Sequence, residues 1–377
     1  MRMGFGTSAL VKGLEKHGLD GLGYYTIELG QSLVQLGQDL TPITFGPTSI
    51  NTLFDQPIIK LPRISYGVAL ACTLGVNHPN SQKARTSIDL YHATDHYIPR
   101  FKSVPVIATI MDAIPLARPE WVNQRLRATK NYLFKRTAGW ANRVITISEY
   151  SKSDLVTYLN IRPENIDVIP LGVDSRYFQA VDSNLAEPYL KKLGLSNGEF
   201  FLFIGTLQPR KNLETLIKAY LTLPGALRAQ IPLIIVGRDG WGSDELVAQL
   251  NAYTAQPTSN IVWLRGVSDL HKRILLQNAT ALVFPSLYEG FGLPVLEAFA
   301  SGLPTIASNT TSLPEVAHDA AVLVNPLDAD EMGNAMQNLL DDTTLRGFLT
   351  ERGLKRAQLY TWGNCAKLTY DSYKKLL

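Results

Sequence analysis

The feature that most constrains this chain is an alternation. Short apolar runs, many of them β-branched and closed by Gly, Pro, Asn or Ser, take turns with helix-like stretches. The runs Val104–Asp112, Arg143–Ser148 and Ile166–Gly172 fall in the first half. Phe200–Thr206, Pro232–Arg238, Asn260–Gly266, Ala279–Ser286, Pro304–Ser308 and Ala320–Pro326 fall in the second. Helical patterns such as Asn212–Leu223 lie between them. A continuous apolar run has no wet face, so it predicts a strand covered on both sides. Strand–helix alternation then predicts parallel sheets, in which ligands sit beyond the carboxyl ends of the strands.

With 377 residues, one core is too few, and two are expected. The polar stretch Gly172–Phe200 separates them, with the boundary placed near Arg176–Asp182. With 45% hydrophobic and 18% charged residues the chain reads as globular, and a net charge of +3 does not argue for nucleic acid. No apolar run reaches the length of a membrane span, and the glycine-rich start does not read as a secretory leader. The two cysteines, Cys72 and Cys365, are expected as free thiols in a reducing compartment, which makes the cytoplasm the expected location. Charge is uneven. Residues 1–174 hold 18 Lys and Arg against 14 Asp and Glu. The segment Arg118–Arg143 concentrates cations, with Glu120 alone opposing them. Val122, Leu126, Leu133 and Phe134 could form a buried helix face there, leaving Arg125, Arg127, Lys130, Lys135 and Arg136 in water. Such a helix is either an ordinary amphipathic one or a surface for anionic lipid headgroups.

Chemistry concentrates in "LYEGFGLPVLEAFASGLP", Leu287–Pro304. It reads as a strand end, a glycine loop, a helix with Pro294 at its first position, and Gly302 just past its end. Gly290 and Gly292 permit backbone close to a ligand, and the amides around Gly292–Leu296 form an anion site. Glu297, read in the first helical turn, would repel phosphate but can accept hydrogen bonds from a sugar diol. Glu289, in the loop, could hold another hydroxyl-rich group. The bland alternative is that Glu297 only complements the helix dipole and Glu289 is solvated. A second strand–loop–helix, "FFLFIGTLQPRKNLETLIKAY", places Arg210 and Lys211 in the same crevice, where cations would stabilise a departing diphosphate. In "YHATDHYIP", His92, Asp95 and His96 are either core and solvated groups or acceptor contacts. "DAD" at Asp328–Asp330 reads as a helix cap rather than a metal motif.

Taken together, "EGFGLPVLE" and "GTLQPRKNL" resemble the retaining nucleotide-sugar glycosyltransferases of family 4, which have the two-domain GT-B fold. "DGLGYYTIELGQSL", "VITISEYSKSDL", "VIPLGVD", "LRGVSDLHKRILLQNATALVFPS", "LPEVAHDAAVLVNPLD" and "YTWGNCAKLTYDSYKKLL" fit in order, so the likeness spans nearly the whole chain. It implies two Rossmann-like parallel-sheet domains facing a central cleft: residues 1–178 for the acceptor, 179–360 for the donor, and 361–377 as a helix crossing back. It implies donor contacts from Glu297 (ribose), Glu289 (hexose), the amides of Gly290, Phe291, Gly292 and Leu293, the pair Arg210 and Lys211 (diphosphate), the segment Arg265, Gly266 and Val267 (base), and Gly21 and Gly23. Two positions depart from the family pattern. Thr206 stands where an arginine is usual, and Met111-Asp112 stands where His-Asp is usual, leaving Asp112 to hold the reacting sugar or acceptor. The expected reaction is hexose transfer without metal or cofactor, the nucleotide sugar being a substrate. UDP-glucose is the favoured donor and GDP-mannose the alternative. The acceptor is expected to be a saccharide or lipid-linked chain, made at the inner face of the membrane. A sugar-nucleotide binder or epimerase without transfer is the other reading.

Overall fold

The computed structural model describes residues 1–16, 18–63, 65–73, 76–95, 98–122, 126–195 and 200–377. Its first sheet contains β1 (Arg2–Gly6), β2 (Asp39–Phe45), β3 (Ile59–Leu61), β4 (Leu90–Ala93), β5 (Val106–Thr109), β6 (Arg143–Thr146) and β7 (Ile166–Val168), all parallel, in the order β3-β2-β1-β4-β5-β6-β7. The second contains β8 (Phe201–Ile204), β9 (Leu233–Val236), β10 (Ile261–Leu264), β11 (Ala281–Phe284), β12 (Thr305–Ser308) and β13 (Val322–Val324), again parallel, in the order β10-β9-β8-β11-β12-β13. Both orders reverse beside the first strand of the sheet. The reversal falls between β1 and β4 in one sheet and between β8 and β11 in the other. These are the switch points at which doubly wound sheets open a crevice for ligands.

The chain divides into two compact units, Met1–Gly172 with Trp362–Leu377, and Val173–Thr361. The division precedes the stretch Arg176–Asp182 because that stretch bonds inside the second unit. Tyr177 Oη donates to Asp269 at 3.2 Å, and Arg176 Nη1 lies 3.2 Å from the same carboxylate.

Six helices matter below: α1 (Gly21–Gln35), α2 (Arg127–Ala138), α3 (Leu213–Thr222), α4 (Asp269–Asn278), α5 (Leu293–Ala300) and α6 (Trp362–Lys374). In α3 the buried residues Leu213, Leu216, Ile217 and Tyr220 follow the helical period and cover the second sheet. Each such side chain contributes about 1.5–3 kcal/mol by leaving water. In α1 the Asp20 side chain caps the first turn by accepting from Gly23 N at 2.8 Å, and Tyr25, Leu29 and Leu33 point inward. Helix α6 packs on α1, where the Trp362 ring meets those of Tyr24 and Tyr25 at 6.1 and 6.2 Å. Gly302, at φ +72°, ends α5. Its N–H donates to Phe299 and that of Leu303 to Ala298, the pairing that closes a helix with a left-handed residue.

Among the described residues of the basic segment, the 3₁₀ turn Pro119–Trp121 precedes α2, and Arg125 lies outside them. Leu133 is buried, but Leu126 is 55% exposed rather than part of a buried face, because it sits in a left-handed conformation ahead of the helix. Arg127, Lys130, Lys135 and Arg136 are exposed, as their charge requires, and Tyr132 is exposed beside them. Arg143 behaves otherwise. It pairs with Asp167, which also accepts from Ser372 Oγ at 2.6 Å and from Lys375 Nζ at 2.7 Å. Burial works against the Asp167 carboxylate, but these partners outweigh it and hold its pKa well below the usual range. No helix among the described residues is long and apolar enough to cross a membrane.

Candidate active site

The strand order brings together residues that lie far apart in sequence. Arg210 and Lys211 follow β8, and Glu289 follows β11, its neighbour across the switch point. The loop after β8 turns through a 3₁₀ segment, Pro209–Lys211, and Asn212 then adopts φ +56°. The Asn212 amide donates to Pro285 O at 3.1 Å and Pro326 O at 2.6 Å, tying this loop to the exits of β11 and β13. Close approach to β9 demands glycine at 237, since a Cβ there would lie 2.0 Å from the Gly205 carbonyl.

The two cations are not a solvated pair. Lys211 is buried; its ammonium pairs with Glu289 Oε1 and lies 4.8 Å from the centre of the Phe284 ring. Arg210 Nη1 donates to Glu289 Oε2 at 3.0 Å and to Tyr288 O at 3.1 Å. Burial alone would push the Glu289 carboxyl up, but Lys211 and Arg210 pull it down to about 2. Burial pushes the Lys211 ammonium the other way, below its ordinary value, and Glu289 only partly offsets this. Glu289 thus pairs with both cations and offsets one of their two charges.

Glu289 opens the turn Gly290–Gly292. Gly292 has φ +114°, and a Cβ there would meet Leu313 Cδ2 at 2.6 Å, so the position requires glycine. Helix α5 begins immediately after it. Pro294 is consequently its second residue, and Glu297 lies in the second turn rather than the first. Gly290, Phe291 and Gly292 are buried, and Leu293 is half-buried. Glu297 is buried as well, with Oε1 taking a 2.9 Å hydrogen bond from Lys272 of α4. Lys272 also lies 5.0 Å from the centre of the Tyr177 ring. Arg265, Gly266 and Val267 follow β10, on the far side of β9. The Arg265 guanidinium stacks at 3.6 Å over Trp263 and pairs with Asp239 at 3.3 Å. Thr206, half-buried, follows β8.

In the first unit Gly21 and Gly23 are not a loop but the first turn of α1, and the Gly23 N–H is taken by Asp20. Only Gly21 of the two is exposed. His92 is fully buried, with Nδ1 2.7 Å from Tyr373 Oη and Nε2 2.8 Å from Thr109 Oγ1. It is a core histidine that joins α6 to the sheet, not an acceptor contact, and burial lowers its pKa to about 3. Asp95 is buried and accepts from Ala9 N at 3.0 Å. His96 lies outside the described residues. Asp112, half-buried after β5, accepts from Ile114 N at 3.0 Å, and Met111 beside it is half-buried too. Asp328 caps the helix Ala329–Asp341 by accepting from Glu331 N. Ser148 caps the helix Glu149–Leu159. Lys272, Asn212, Thr311 and Ser312 carry no mark in the sequence. Nothing in a lone lysine on an amphipathic helix, or in a Ser/Thr-rich turn, marks the contacts these residues make.

Residues 187–356 match the family described as Glycosyl transferases group 1, and residues 19–177 match Glycosyltransferase Family 4. Over 288 residues the chain is 34% identical to the O-antigen chain mannosyltransferase B of Escherichia coli, covering 76% of this chain and 74% of that one. Over 300 residues it is 29% identical to the MMP alpha-(1->4)-mannosyltransferase of Mycolicibacterium hassiacum, covering 78% and 67%. The solved sucrose-phosphate synthase of Thermosynechococcus elongatus shares the fold with a TM-score of 0.78 at 20% identity, covering 100% of this chain and 99% of that one. Two Rossmann-like parallel-sheet domains carrying these motifs define a glycosyltransferase of the GT-B fold. It uses a nucleotide-sugar donor and a saccharide acceptor. The chain belongs to glycosyltransferase family 4, group 1, and is a hexosyltransferase.

Proposed function

We propose that this enzyme transfers mannose from GDP-mannose, with retention of anomeric configuration and without a metal, to a saccharide chain of a cell-surface polysaccharide. The observation that carries the reading is the convergence of half-buried Arg210 with buried Lys211 and Glu289 at the β8/β11 switch point, directly ahead of the α5 N-terminus. A diphosphate entering there takes over the two cations, and the α5 amides complete its cradle. Glu289, released from its ion pairs, is left to accept hydroxyls of the transferred hexose. Glu297, steadied by Lys272, accepts the ribose diol. As the bond from the sugar to the diphosphate breaks, charge builds on the leaving oxygen, and the fixed cations stabilise it. The choice of mannose over glucose rests on the named relatives, two of which are mannosyltransferases. Acceptor groups belong to the first unit, with Asp112 the candidate at the end of β5. The exposed cations of α2, with Tyr132 and Leu126, suit an anionic membrane surface at the cytoplasmic face.

Calorimetry against GDP-mannose and UDP-glucose, paired with acceptor-dependent release of nucleoside diphosphate onto mannose oligosaccharides, tests the proposal. GDP-mannose is expected to bind tighter and to be consumed only with acceptor. Preference for UDP-glucose would overturn the donor assignment. Equal turnover by wild type, Glu297→Ala and Lys211→Ala proteins would overturn the site. Epimerised donor without acceptor-dependent release would remove transfer itself.

A further inference from the structure

The segment that leaves β12 runs beneath the turn between the two glutamates and grips it by three backbone groups. Thr311 Oγ1 accepts from Glu289 N at 3.2 Å. Ser312 Oγ lies 2.9 Å from the carbonyl of Glu289 and 2.9 Å from that of Phe291, so its single proton is shared between them. Ser312 is fully buried. Thr311 holds φ +57°, a left-handed conformation that is a rare and costly one for a β-branched residue. Leu313, next in sequence, supplies the methyl that excludes a side chain at Gly292. A strained threonine, a buried serine and a leucine thus meet one four-residue turn.

We infer that Thr311 and Ser312 are positioning residues that set the direction of the amides in the Glu289–Gly292 turn, and through them the strength of donor binding. The inference rests on the donor-site reading given above. Its geometry follows from peptide planarity. In a trans peptide the C=O of one residue and the N–H of the next point opposite ways. Ser312 draws the carbonyls of Glu289 and Phe291 toward itself, so the N–H vectors of Gly290 and Gly292 are turned away from it. Without the serine hydroxyl both carbonyls lose that donor, and the peptide planes lose one of the contacts that hold their direction. The left-handed Thr311 is what brings the two hydroxyls of consecutive residues to the same turn. This explains why its strain is retained.

The test compares Ser312→Ala, Ser312→Thr and Thr311→Val in the full chain, reading donor Kd by calorimetry and the separation of KM from kcat. Ser312→Ala is expected to weaken donor binding about ten- to thirtyfold, as two shared hydrogen bonds warrant, with kcat at saturation changed less. Ser312→Thr, which keeps the hydroxyl, is expected to recover affinity to within about threefold. If Ser312→Ala does not fold, Thr311→Val carries the test, with an expected loss of about fivefold for its one bond. Donor affinity of the folded variants within twofold of wild type overturns the inference. Lys211→Ala is measured alongside. If it loses donor binding while the Ser312 and Thr311 variants do not, only the positioning role fails. If it too binds donor normally, the donor-site reading fails with it.

Discussion

Replacing Glu289 with glutamine tests the physical core of the site. The carboxylate is buried against two cations, and its pKa of about 2 lies some 2.5 units below the ordinary 4.5. Removing one partner of a buried pair costs about 3–5 kcal/mol in general, and a deficit of that order is expected for the second unit at neutral pH. The sign follows from a depressed folded pKa: the stabilisation is present above 4.5 and is lost as pH falls through 2. The glutamine variant has nothing to titrate there, so its deficit relative to wild type should close on acidification. It should also narrow at alkaline pH, because Lys211, already depressed by burial and now without its partner, can shed its proton. Hydrogen exchange followed on peptides from β8 and β11 isolates this unit. At pH 7 their slowest amides should exchange on the order of a hundredfold faster in Glu289→Gln. A deficit under 1 kcal/mol, or one that stays constant between pH 7 and pH 2.5, would refute the reasoning.

Two further outcomes follow from the first unit. The His92 ring should remain neutral from pH 7 down to about pH 4, and the unit should lose roughly 1.4 kcal/mol per pH unit as pH falls below the unfolded value of 6.5 toward the folded value of about 3; nitrogen-15 NMR of the ring reads this directly, and a midpoint near 6.5 would contradict it. The double variant Lys130→Gln, Arg136→Gln should bind vesicles containing phosphatidylserine about thirtyfold more weakly, at about 1 kcal/mol per cation near the surface, while neutral vesicles show no difference; wild-type binding unaffected by salt would remove the membrane assignment.

The strands that carry the second unit are legible because each is a run of large apolar residues with a clear stop. Those at the start of the first unit are not. In β1, Gly4 and Gly6 dilute the apolar signal, although a Cβ on Gly4 would crowd the Ile88 Cδ1 methyl at 2.5 Å. In β2, Pro42 reads against a strand interior. At the site, residue types and loop positions can be read locally: Arg210, Lys211 and Glu289 follow strand ends, and Glu297 lies in the helix after the glycine turn. Their partnerships cannot. Glu289 lies 78 residues from Lys211, and only the switch in strand order makes them neighbours. His92 and Tyr373 are 281 residues apart, so a buried histidine could not be told from one facing a ligand.

The discontinuity of the first unit has a consequence for its synthesis. Its sheet is complete once β7 has emerged, but its last helix comes only after residues 173–361, the whole second unit. At ribosomal speeds of about 5–20 residues per second, the nascent sheet waits roughly 10–40 seconds for Trp362–Leu377. Throughout that interval Tyr25 lacks the Trp362 ring, His92 lacks the Tyr373 hydroxyl, and Asp167 lacks Ser372 and Lys375. Of the two units, the one begun earlier is thus finished later, and a ribosome stalled within the second unit holds an uncovered patch of the first.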